Sequence, residues 1–235
     1  MIAKLISFLL LYPLSINTAL SQNIDHQFLS DQLEKILNEK QNHVLKDLFL
    51  PKSLKQFDKQ SMAFRQKYKD AKWSIKTISN QPEKILLDIK STSTREINGQ
   101  IYNLNSKQTV KVNTFKNKIK SFEIIKEESI LNSQKSPLVI KVFAPEKVLT
   151  GEKYEINLII EKPLDDSFIA SGFIVLKNNE NKKIYNEKFG IQPTQAGGLF
   201  KYIQAPLEPG FQTISAIITH PEGIYTITKR IKVGL

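Results

Sequence analysis

The sequence predicts an α+β half followed by an all-β half, and three observations carry that expectation. Apolar residues recur at helical spacing as far as Tyr68, then alternate at strand spacing to the end, and a polar, aperiodic segment over 132–137 divides the alternating region. The expected architecture is two helices with a curved four-strand antiparallel meander, then a seven-strand sandwich.

Over residues 24–49 the apolar positions Phe28, Leu29, Leu33, Ile36, Leu37, Val44, Leu45 and Leu48 step by threes, fours and a seven, which places one stripe on a first helix. Pro51 suits the first turn of a second helix, where its missing N–H costs nothing. Leu54, Phe57, Ser61, Phe64 and Tyr68 form that helix's inner face. Strand alternation begins at Trp73, Ile75 and Thr77 and resumes at Ile85, Leu87 and Ile89. Asn98-Gly99 is the strongest turn signal, because a two-residue hairpin needs positive φ at both positions. The return strand runs through Tyr102, Leu104, Val110 and Val112, and a turn at Lys116-Asn117-Lys118 leads to Ile119, Phe122, Ile124 and Ile125. Long antiparallel strands curl, and the two helices are available to cover the concave face. The segment 132–137 reads as a linker. Beyond it, seven strands are expected: 138–142, 154–160, 169–177, 183–189, 199–204, 211–219 and 224–233, with Pro and Gly turns between them.

The first 21 residues add an address. Lys4, then Leu5, Ile6, Phe8, Leu9, Leu10, Leu11, Tyr12 and Leu14, then Ala19 and Ser21 follow the order of a secretory signal peptide, with cleavage between Ser21 and Gln22. The apolar run is short for a spanning helix and Pro13 interrupts it. The chain contains no cysteine, which excludes disulfides, thiol nucleophiles, zinc-thiolate sites and a lipoprotein's lipid-bearing residue. An exported protein is expected, periplasmic or extracellular, or thylakoid-lumenal in a cyanobacterium. The formal charge is +11, yet of 34 basic residues only Arg65, Arg95 and Arg230 are arginine. Arginine is the residue that forks onto phosphates and bases, so a lysine excess of this kind, with export, argues against nucleic acid.

Two resemblances follow from the order of elements. Residues 22–131, two helices and then a meander around Ile97-Asn98-Gly99-Gln100-Ile101-Tyr102 and Val110-Lys111-Val112, resemble the nuclear transport factor 2-like cone fold. Residues 138–235 resemble bacterial immunoglobulin-like domains through Leu207-Glu208-Pro209-Gly210-Phe211, with Phe211 where such families often carry a Tyr. The cone resemblance implies a pocket or a dimer face, hence a small apolar ligand or a homodimer. Relatives that isomerise ketosteroids use an Asp base and a Tyr inside the cone, and only Asp88 and Tyr102 answer to those roles. If the Ile85–Leu87–Ile89 face points inward, Asp88 points out and the catalytic idea fails. The immunoglobulin-like half implies edge strands or loops offered to a protein partner.

Few patterns in the chain carry chemistry. His26, His43 and His220 lack metal-pair spacing, Asp165-Asp166 and Glu127-Glu128 lack the spaced acids of a calcium loop, and Gly197-Gly198 lacks the Lys-Ser/Thr of a phosphate loop. No metal or cofactor is expected. Trp73 reads as a cap on the first core. Lys111, Lys116, Lys118 and Lys120 form the one basic concentration, around a hairpin tip. It suits either an anionic membrane or cell-wall surface or the protection of an exposed hairpin against edge pairing. The favoured function is a non-enzymatic binding or assembly protein, with a cone-fold carrier or isomerase and an anionic-surface binder as alternatives.

Overall fold

The computed structural model describes residues 26–39, 44–81, 84–162, 168–176, 189–194 and 197–234. The apolar leader with Ser21 and Gln22, His43, Asp165-Asp166 and most of the strand expected over 183–189 lie outside them.

The stripe that predicts one helix forms two, α1 (His26–Glu39) and a single turn, α2 (Leu45–Leu48). Phe49 is extended and bridges Ile119 in parallel, which draws the chain out of the helical path after Leu48. Pro51 opens α3 (Pro51–Lys67). The meander follows as β1 (Lys72–Gln81), β2 (Lys84–Ile97), β3 (Gln100–Phe115) and β4 (Lys118–Ser133). Asn98 (φ 52°) and Gly99 (φ 76°) close one hairpin, and Lys116 (φ 47°) and Asn117 (φ 60°) close the other. Leu29, Leu33, Ile36 and Leu37 of α1 pack with Ile75, Ile85, Leu87, Val110 and Val112 into one core. Phe49, Phe57 and Phe122 interlock at 4.8–6.3 Å between ring centres. Edge strand β1 is covered rather than exposed: Asn38 donates to Trp73 O and accepts from Trp73 N, both at 2.9 Å, and Glu34 accepts from Ile75 N at 2.7 Å.

The turn after α3 is tied to the far end of β2 by Asp70, which accepts from the hydroxyl of Ser93 and from Thr94 N and Oγ1. Those bonds favour the carboxylate and lower its pKa from 3.8 to about 2. The stabilisation is therefore present above the ordinary Asp range and fades as pH falls through about 2. Asp70→Asn is expected to lower stability by about 1 kcal/mol at pH 6, with the gap to wild type closing in acid; urea titrations at both pH values check it.

The second half comprises β5 (Ile140–Phe143), β6 (Lys147–Val148), β7 (Lys153–Ile160), β8 (Ala170–Leu176), β9 (Gln192–Pro193), β10 (Gly198–Gln204), β11 (Gly210–His220) and β12 (Gly223–Val233). Its strands do not close on themselves. β12 pairs with β4 from Tyr225↔Asn132 to Arg230↔Glu127, so one nine-stranded sheet runs β1-β2-β3-β4-β12-β11-β8-β9, with β6 beside β12. Strands β10-β7-β5 form a separate small sheet. It packs Tyr154, Ile156, Leu158, Leu199 and Ile203 against Ile214, Ala216, Ile218, Tyr225, Ile227 and Ile231 of the large one.

The segment expected to be a linker is a locked corner. Asn132 and Ser133 end β4, and Ser133 is fully buried with its Oγ accepting from Ile224 N at 2.9 Å. Gln134 N then donates to Ile101 O at 2.8 Å. Phe211 lies outside the sandwich core, and the Arg230 guanidinium lies 4.3 Å from its ring centre.

Candidate functional site

The large sheet keeps Asp88 and Tyr102 apart. Asp88 pairs with Thr109, and Tyr102 lies seven positions further along β3, about 23 Å away. Ile85, Leu87, Val110 and Val112 face the helices; by alternation Tyr102 shares that face and Asp88 takes the other. Tyr102 donates to Gln100 Oε1 at 2.8 Å. Nothing in this geometry converges a base and a phenol on one substrate.

Where the helices end, the same face turns polar. Ser91, Ser93 and Ser106 are buried, and Glu127 accepts from Gln108 Nε2 at 3.2 Å and from Ser129 Oγ at 3.3 Å. Burial pushes the Glu127 carboxyl up, while these two bonds and the charge of Arg230, its neighbour across the strands, pull it down. Burial likewise lowers the Arg230 pKa. Both residues are half-buried where β4 meets β12, at the junction of the two halves.

The four lysines separate. Lys111 stands between Leu86 and Glu123 within the sheet, four positions short of the tip. Lys116 and Lys120 place their ammonium groups 5.5 and 5.9 Å from the ring centre of Phe115, itself 53 % exposed. Lys118 donates to Lys46 O at 3.0 Å and so ties the hairpin to α2. His220 accepts from Glu222 N at 3.1 Å, as a turn residue does. No group of three or more metal-ligating side chains occurs among the described residues.

The most conspicuous surface was not read from the sequence. Inward residues of the small sheet are Tyr154, Ile156, Leu158, Leu199 and Ile203, so its outer face carries the alternate positions. Phe143 and Phe200 both pair with Asn157, and Tyr202 pairs with Glu155. The three aromatics are 45 %, 53 % and 68 % exposed. Two strand spacings put Phe143 and Phe200 about 10 Å apart across Asn157. The ammonium of Lys141 lies 5.1 Å from the Phe143 ring centre, and that of Lys153 lies 4.9 Å from that of Tyr202. Tyr202 also borders an open cleft of ≈ 350 Å³ between the sheets, lined by Phe173, Val175, Lys201, Gln204 and Gln212 among others. The signal lay in Leu199-Phe200-Lys201-Tyr202-Ile203, where aromatic residues alternate with the core positions instead of polar ones.

The fold and this surface define a mixed protein: a few N-terminal helices followed by a mostly antiparallel β-structure, without an assembled catalytic constellation among the described residues. Residues 135–234 match the family described as a domain of unknown function, DUF8623, a stretch that begins at the corner after β4 and takes in β5 to β12. No curated protein matches the chain.

Proposed function

We propose that this is an exported, non-enzymatic binding or assembly protein whose contact surface is the outer face of the small sheet. One observation carries the reading: three large aromatics, 45–68 % exposed, stand on a single face, each beside polar or cationic neighbours. Aromatic side chains are enriched at the energetic centres of protein interfaces, and a rim of lysines and a carboxylate suits a protein partner. The signal-like leader supports export. Helices over one face of a four-strand meander support the cone-like reading of the first half. The packing of β5-β7-β10 on β8-β11-β12 supports an immunoglobulin-like reading of the second, with the shared sheet a departure from both relatives.

The test is site-directed photocrosslinking in the producing cell. A benzoylphenylalanine at Phe200 is expected to capture a discrete partner that the same probe at Met62, an exposed site on α3, does not. Phe143→Ser/Tyr202→Ser is expected to weaken that capture by about a hundredfold without lowering the melting temperature, since both side chains point outward. Identical products from both probe sites, or capture that survives the double substitution, would overturn the reading.

A further inference from the structure

A second surface, independent of the aromatic face, lies at the end of the first half where three segments converge on Ile119. Leu50 N and Ser53 Oγ both donate to Ile119 O, at 2.9 and 2.5 Å, and Lys118 reaches Lys46 O. These bonds hold α2, the first turn of α3 and the β3–β4 tip together. Segments 45–48, 51–55 and 115–120 carry Lys46, Lys52, Lys55, Lys116, Lys118 and Lys120 against one carboxylate, Asp47. Only half of this cluster is visible as a run in the sequence; the fold brings the other half to it. Beside the hairpin lysines Phe115 leaves half its surface in water, with the ammonium groups of Lys116 and Lys120 near its ring.

We infer that this end of the molecule docks on an anionic lipid surface, with Phe115 entering the headgroup layer and the lysines meeting lipid phosphates. The charge is complementary to such a surface, and lysine rather than arginine supplies it, which suits diffuse attraction better than forked recognition of a nucleic acid. An exposed ring among long basic side chains is the arrangement an interface accommodates, because the ring takes the apolar layer while the ammonium groups stay in water. A polyanion would use the lysines alone and leave Phe115 idle.

The full chain is mixed with vesicles of phosphatidylcholine alone or of phosphatidylcholine and phosphatidylglycerol in equal parts, and co-sedimentation is measured. The neutral vesicles register any contribution of the apolar N-terminal segment. Binding to the anionic vesicles is expected to exceed that baseline and to fall with added salt. Lys116→Glu/Lys120→Glu is expected to reduce the excess by about tenfold or more, and Phe115→Ser by several-fold at unchanged charge. Equal binding to both vesicles overturns the inference. So does an excess that Phe115→Ser leaves intact, which marks a general polyanion patch, with heparin expected to compete as well against either variant.

Discussion

Leu158→Ala is expected to move the urea unfolding midpoint reported by Trp73 fluorescence, by the equivalent of about 2–5 kcal/mol, although the two residues belong to different cores. Leu158 is fully buried in the sandwich, so its truncation opens a cavity there. Trp73 is the chain's one tryptophan and packs at the opposite end, 5.0 Å from Phe64 between ring centres, which makes its emission a reporter of the first half alone. Two domains on a flexible tether would unfold separately, and Trp73 would not register the loss. Here β12 contributes Ile227 and Ile231 to the sandwich core while hydrogen-bonding to β4 over six residue pairs. Unfolding the sandwich strips β4 of its neighbour, and the two transitions should travel together. A Trp73 midpoint indifferent to Leu158→Ala, with the sandwich itself destabilised by hydrogen exchange, would contradict that coupling.

The shared sheet marks the boundary of what local pattern can reveal. Helical stripes, the period-two runs and the Asn98-Gly99 turn are properties of neighbours in sequence; the hairpin turn and the four meander strands appear where they were announced, while the first stripe divides into α1 and α2. Strand partnership is not such a property. Ile227 and Ile231 face the sandwich core and Thr228 and Arg230 the other side, an alternation compatible with many neighbours. Nothing local states that the next strand over is β4. The polar run 132–137 misled for the same reason: Ser133 is small and hydrophilic, which fits a solvated tether, yet it is buried because Gly223 and Ile224 close over it. The candidate sites divide in the same way. Lys116, Lys118 and Lys120 fall within five residues and were legible as a cluster, whereas Lys46, Lys52 and Lys55 arrive through Ile119. Phe143 and Phe200 become neighbours only through a third strand.

Gly198→Ala is expected to cost about 3 kcal/mol and to disturb the aromatic face at the same time. Gly198 has φ +138°, a region that side chains disfavour, and an added Cβ would sit 1.9 Å from Leu158 O and 3.2 Å from Ile159 Cα. Both obstacles are backbone, and Leu158 is held in the core, so no side chain can swing aside. Relief requires β10 to move away from β7 at the point where Gly198 opposes Ile159. Phe200 follows two residues later on the same face, so its spacing to Phe143 changes with that movement. Gly197→Ala is the control, since its φ of +102° carries the conformational cost while nothing stands within 4 Å of the new methyl. It should lose about 1 kcal/mol and leave crosslinking from Phe200 unchanged. Thermal melts of the two variants separate contact from conformation, and the crosslinking yield then connects the packing of one glycine to the surface two residues beyond it.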